Sequence, residues 1–316
     1  MALKHDVVIV GSGIAGLRAA VELSEQLDVA VVSKVLPTRA HSGAAQGGIT
    51  AALANQEPDQ WDWHMFDTVK GSDYLGDQDA IEIMARDAPR AILELEHMGV
   101  PFSRTPEGKI AQRAFGGHTR DFGKAPVKRA CFASDRTGRI ILDTLYEQSI
   151  KAGVKCYPEF LMIDLLFRSN RCVGILLMEL ATGEIHEVHA RAILLATGGA
   201  GKIFKTTSNC FSNTGDALSI AFMNNLPLQD MEFVQFHPTS LYNPGKRSFL
   251  ISEALRGFGG RLINGSNVRF MPQYDERAEL APRDIVARGI DAEMKKRRED
   301  CVYLDMRHLD AEEVVS

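Results

Sequence analysis

The chain is poor in cysteine, and the five it has (Cys131, Cys156, Cys172, Cys210, Cys301) lie far apart with no Cys-x-x-Cys pair. That spacing excludes a zinc or iron–sulfur site built by this chain alone and suits a reducing compartment. Long hydrophobic runs are missing as well: none approaches the roughly 20 residues a membrane helix needs, so membrane contact must come through partners. Positive charge is not in excess. With 36 basic and 41 acidic residues the formal net charge is −5, which gives no general attraction to nucleic acid or anionic lipid and leaves any anionic substrate to local cations. The first apolar strand starts within a few residues of Met1, leaving no room for a signal peptide, and no repeat or low-complexity segment occurs. What remains is an ordinary globular composition, 45% hydrophobic and 24% charged, over 316 residues, a length that suggests about two domains.

The densest signal lies in residues 5–48. Val7-Val8-Ile9-Val10 is short, β-branched and bounded by Gly11, the mark of a buried parallel strand. Gly11-Ser12-Gly13-Ile14-Ala15-Gly16 then fits the dinucleotide fingerprint, in which successive glycines permit a tight turn, a close pyrophosphate and close helix–strand packing. Helical spacing over residues 14–26 and a second apolar run over 29–32 complete a βαβ unit. A glycine loop placed between strand and helix points unpaired amides at a diphosphate. At the end of the second strand, where an NAD site would carry Asp or Glu, the chain reads Ser33-Lys34, and lysine there would suit a 2′-phosphate.

Further along, residues 59–76 hold both tryptophans, Trp61 and Trp63, as packing aromatics. Residues 79–98 read as a helix with Ile81, Met84, Ala88, Ile92 and Leu95 on one side, Gly99 as its stop and Pro89 as a kink. Residues 101–133 read as loop-rich, and the four basic residues from Arg120 to Arg129 as a solvated basic loop. A helix over 139–151 precedes alternating strands over 154–196, with a turn at Thr182-Gly183. The last strand runs into Thr197-Gly198-Gly199-Ala200-Gly201, a second glycine cluster at a strand end. Asp216 opens a helix over 217–224 as an N-cap or a ligand contact, and the basic run at 295–298 ends a helix that starts at Arg283 and faces water.

The stretch from Ser33-Lys34 through Thr38-Arg39-Ala40-His41-Ser42 to Gln46-Gly47-Gly48 closely resembles the segment of the succinate dehydrogenase and fumarate reductase flavoprotein subunits that runs under the FAD. The resemblance implies FAD rather than a nicotinamide, and an α/β fold: a Rossmann-type FAD-binding domain with an inserted β-ribbon over 1–236, then the start of a smaller α+β capping domain over 237–316. It makes His41 the residue that carries the flavin covalently. Gly11, Ser12, Gly13, Ile14, Ala15, Gly16, Ser33, Lys34, Ser42, Gln46, Gly47, Gly48, Ala196, Thr197, Gly198 and Asp216 become its cofactor contacts. It places Phe115 near a dicarboxylate, gives His237 and Ser252 a substrate carboxylate, and makes Arg283 the proton donor or acceptor. Glu253 and Arg256, three apart, would relay protons between Arg283 and solvent. An iron–sulfur subunit and membrane anchor subunits are the implied partners, with the chain peripheral on the cytoplasmic face of the inner membrane.

Two departures qualify the likeness. The chain stops at Ser316, before a later histidine and a later arginine with which the family completes its grip on two carboxylates, so a non-catalytic flavin-carrying fragment is one alternative. Residues 237–307 look at least as much like L-aspartate oxidase. That enzyme lacks the flavin-linking histidine and has glutamate where this chain has Phe115, so His41 and Phe115 favour a dicarboxylate without an amine. Phe258 replaces an acidic residue common in both groups.

Overall fold

The computed structural model describes residues 3–245, 249–251 and 253–310. The chain runs β1 (Leu3–Val10), α1 (Ile14–Leu23), β2 (Val29–Ser33), β3 (Ile49–Thr50), α2 (Trp61–Gly71), α3 (Gln78–His97), β4 (Gln112–Arg120), β5 (Ala125–Cys131) and α4 (Thr137–Lys151). It continues through β6 (Lys155–Pro158), β7 (Phe160–Arg168), β8 (Arg171–Glu179), β9 (Ile185–Leu195), α5 (Asp216–Met223), α6 (Ala254–Gly257), β10 (Arg261–Ile263), α7 (Arg283–Arg297) and β11 (Tyr303–Asp305). These elements fall into two compact units, residues 1–45, 97–101 and 136–232 in one and 46–96, 102–135 and 233–316 in the other.

The first unit is built on a six-stranded sheet in the order β6-β2-β1-β9-β8-β7. β6, β2, β1 and β9 are parallel, whereas β7 and β8 form an antiparallel ribbon on one side. A parallel strand is covered on both faces, and accordingly Val8, Ile9, Val31 and Val32 lie almost fully shielded from water. One face packs Val8, Val10, Ala30 and Val32 with Met162, Leu165, Ile175, Leu177 and Val188 and closes against Ala217 and Ile220 of α5. β1 lies between β2 and β9, so the strand order reverses beside it, and a crevice opens at the carboxyl ends of the strands at such a point.

The second unit holds a three-stranded antiparallel sheet, β3-β5-β4, and a β10-β11 pair packed with α7 around Leu262, Phe270, Met271, Ala278, Ala281 and Val286. Here the structure corrects two expectations. Residues 112–131 are a hairpin of two strands, not loop, and Arg129 within it is fully buried rather than solvated. The helix expected over 79–98 is present, but Ala85 rather than Met84 faces inward. Counting back two turns, seven residues, from buried Ile92 lands on Ala85. Among the described residues no helix is long and apolar enough to cross a membrane, and all five cysteines are free thiols.

Candidate functional site

In the first unit the glycine loop leaves β1 at Gly11, whose φ of +119° only glycine adopts without strain. A Cβ there would lie 2.2 Å from the Ala196 carbonyl oxygen, and one on Gly16 would lie 2.0 Å from the Gly11 carbonyl oxygen. The loop therefore packs backbone on backbone between the ends of β1 and β9. α1 begins after Gly13, which has no side chain to cap it, and its first amide, on Ile14, donates to Ser42 Oγ at 3.2 Å. The cradle of small residues and the helix N-terminus fit a diphosphate. Ser12 and Ser33 are buried and share a hydrogen bond at 2.7 Å, tying the loop to the end of β2.

The remaining cofactor candidates of this unit gather on the same carboxyl side of the sheet. Lys34 Nζ donates to Asp216 Oδ2 and to Thr214 Oγ1, each at 2.5 Å. Asp216 is the first helical residue of α5, one place after the N-cap Gly215, and its carboxylate accepts from Lys34 and Thr214. His41 Nδ1 accepts the Cys210 amide at 3.4 Å. Gly198 follows Ala196 and Thr197 with a φ of +75°, and the Ala196 amide donates to the Val10 carbonyl.

The second unit brings together Gln46, Gly47, Phe115, Glu253, Arg256 and Arg283. Phe115 packs on Gly47, where a Cβ would sit 3.2 Å from the ring. Gly116 stands beside Glu253 Oε1 and the carbonyls of Leu280 and Ala281. Gly48, at a φ of +122°, would meet the Cys131 carbonyl with any Cβ.

Arg283 opens α7 and pairs through Nε and Nη2 with Glu253 Oε2, both at 2.6 Å, while Nη1 reaches Gln235 Oε1 at 3.5 Å. Arg256 is buried, with Nη2 3.2 Å from Glu253 Oε1 and Nη1 donating to the Glu279 carbonyl at 2.9 Å. Its Nε and Nη2 make no hydrogen bond of good geometry, so the buried guanidinium holds spare donors. Glu253 thus joins two arginines, one buried and one more than a third exposed.

His237 Nδ1 accepts the Thr239 amide at 3.2 Å. Burial and the Arg283 charge, partly offset by Glu253, push its pKa down to about 4. The ring is therefore neutral near pH 7 and, with Nδ1 accepting, carries its proton on Nε2 as a donor. Ser252 lies outside the described residues. Phe258 is about half exposed, and nothing in its surroundings explains why it replaces an acidic residue.

Three residues in this unit escaped the sequence reading. Arg113 donates from Nε and Nη2 to the Gly47 carbonyl, at 2.9 and 2.6 Å, and from Nη2 to the Gln46 carbonyl at 2.7 Å. His118 meets Phe115 edge-on at 5.9 Å, and burial together with Arg129, His64 and Arg283 lowers its pKa to about 3. Arg129 binds Asp59 and Asp67 as a buried ion triad. Basic residues in a glycine-containing stretch look solvated because their partners, backbone carbonyls or aspartates some 60 to 70 positions away, leave no local mark.

A model of the FAD binding domain matches residues 6–316. The succinate dehydrogenase flavoprotein subunit of Rickettsia bellii is 51% identical over 321 residues, covering 99% of this chain and 53% of its own length. The fumarate reductase flavoprotein subunit of Mycobacterium tuberculosis is 41% identical over 332 residues, covering 99% of this chain and 55% of its own. Among solved structures, a variant of the E. coli quinol fumarate reductase superposes with a TM-score of 0.91 at 34% identity, covering all of this chain and 56% of that one. The chain spans about half the length of the curated relatives it matches.

Proposed function

Because the chain belongs to the FAD-binding family that includes the succinate dehydrogenase and fumarate reductase flavoprotein subunits, we propose that it is the flavin-bearing part of an enzyme interconverting succinate and fumarate. FAD supplies a two-electron centre that accepts or returns hydride. The observation that carries the reading is the Arg283–Glu253–Arg256 chain held beside Gly116 within one unit. A proton alpha to a carboxylate is very weakly acidic and needs a strong base, and the neutral guanidine of arginine, the strongest base among the side chains, suits it. Arg283 gives that proton from its guanidinium, or takes it as the neutral guanidine, and Glu253 and Arg256 relay the proton between Arg283 and solvent.

His237 holds a substrate carboxylate through Nε2–H, and the Ser252 hydroxyl takes the same carboxylate. Phe115 offers an uncharged ring where an ammonium-binding group would be needed for an amino acid, and Glu253 is already occupied by two arginines. Charge-assisted hydrogen bonds contribute about 1.5–3 kcal/mol each, so a dianion taken from water needs several such contacts. The glycine loop, Ser42, Lys34, Asp216, the 46–48 segment and the 196–198 turn hold FAD, His41 carries it covalently, and residues 237–316 begin a capping domain. An iron–sulfur subunit takes the electrons on toward quinone, and membrane anchor subunits hold the assembly at the cytoplasmic face of the inner membrane.

Assaying the FAD-loaded full-length protein with an artificial acceptor, succinate against L-aspartate, tests the substrate. Turnover of aspartate would make it an L-aspartate oxidase, and turnover of neither would leave a flavin carrier. Intact mass before and after His41→Ser tests the linkage: the wild type should carry the FAD mass through acid, and the variant should release it.

A further inference from the structure

Among the described residues Arg113 is the cation bonded to the 46–48 segment, and it is held unlike Arg129, Arg256 and Arg283 of the same unit. Arg129, Arg256 and Arg283 each face a carboxylate. The Arg113 fork is spent instead on the Gln46 and Gly47 carbonyls. Its guanidinium stacks 4.5 Å over the Phe132 ring and lies 5.7 Å from the Phe115 ring, which itself packs on Gly47. Three hydrogen bonds and two aromatic faces fix the group with little rotamer freedom left. Carbonyl dipoles hold a cation without cancelling its charge, so a positive charge sits directly against the segment.

We propose that Arg113 is a positioning and tuning residue for the flavin, clamping the Gln46–Gly47 backbone and Phe115 in one arrangement while raising the reduction potential of the cofactor held over that segment. This inference rests on the reading that the 46–48 segment runs under FAD. A reduced flavin carries more negative charge than an oxidised one, and a fixed cation in a partly desolvated setting favours the more negative form. Burial works against the Arg113 charge, and Asp135 is the anion acting on it in the opposite sense. Removing Asp135 therefore strengthens the field that the flavin experiences.

The test uses the FAD-loaded full-length protein and reads FAD content together with the flavin midpoint potential. Arg113→Gln is expected to lower the potential, so that a smaller fraction of flavin is reduced at a fixed ratio of succinate to fumarate, and Arg113→Lys to recover most of it. Asp135→Asn leaves the clamp in place and is expected to shift the potential upward. An Arg113→Gln protein that keeps its FAD with an unchanged potential overturns the inference, as does an Arg113→Lys protein that falls as far as the glutamine variant. Should Arg113→Gln lose its flavin, Asp135→Asn decides: an upward shift supports the assignment, and no shift or a downward one overturns it. A wild-type protein that takes up no FAD would defeat the underlying reading, an outcome distinct from a bound flavin that ignores Arg113.

Discussion

Three imidazoles of the second unit are kept uncharged by their surroundings, and this has consequences for pH. Burial dominates in each: His64 and His237 are pushed down to about 4 and His118 to about 3, with Arg129 adding to the effect at His64 and His118 and Arg283 at His237. In the unfolded chain each titrates near 6.5. The unfolded state therefore binds more protons below that value, so the stability is fully present above pH 6.5 and is lost as pH falls toward 4. The melting temperature should drop over that window, and drop less in a His64→Gln, His118→Gln double variant; identical acid limbs would refute the assignment. On the proposed function, Arg283→Gln keeps a polar side chain but removes the guanidinium that exchanges the proton, so kcat of the FAD-loaded full-length protein should fall by about 100- to 10,000-fold with a smaller change in KM. Arg283, Glu253 and Arg256, which the structure brings together, stand out in the sequence by motif. Arg113 and His118 do not, because a carbonyl clamp and an aromatic edge have no residue-type signature.

At the level of elements, the βαβ unit was legible because glycine spacing and strand composition act locally, whereas the β4–β5 hairpin was not. Its strands carry Gly116, Gly117 and four basic residues, which read as loop until the partner of Arg129 is known. That partner lies in another element: Arg129 of β5 binds Asp67 of α2 and Asp59 ahead of it, and Asp67 also accepts the Thr119 amide of β4. Arg129→Met would leave two buried carboxylates facing each other, and removing one partner of a buried ionic group costs about 3–5 kcal/mol. Urea titration should show that loss, and adding Asp59→Asn and Asp67→Asn should restore much of it. In the other unit, Gly16→Ala forces a Cβ into the Gly11 carbonyl, which the strand–helix packing cannot relieve. The expected result is a protein that fails to take up FAD, read as lost flavin absorbance after gel filtration; a fully yellow Gly16→Ala protein would contradict the packing argument.

On the scale of the whole chain, connectivity sets the order in which the first unit forms. β1 and β9 are adjacent and in parallel register, Leu3 against Val188 through Val10 against Leu195, yet the paired residues lie 185 positions apart in sequence. β7 and β8, by contrast, are joined by a two-residue turn with Ser169 in the left-handed region and pair from Arg168 against Arg171. Loop-closure entropy grows with the logarithm of the separation, so joining β1 to β9 costs roughly 3–4 kcal/mol more than closing that hairpin. Parallel pairing of distant strands is accordingly slow. The segments 46–96 and 102–135 also interrupt this unit and belong to the other, so their local structure can form while the β1–β9 seam is still open. Pulse-labelled hydrogen exchange during refolding should find amides of β7 and β8 protected first. Those of β1 that donate across to β9 should be protected last, together with those of β9 itself. Protection of β1 ahead of the hairpin would mean that the glycine loop and its strand assemble before the sheet closes, and would overturn this order.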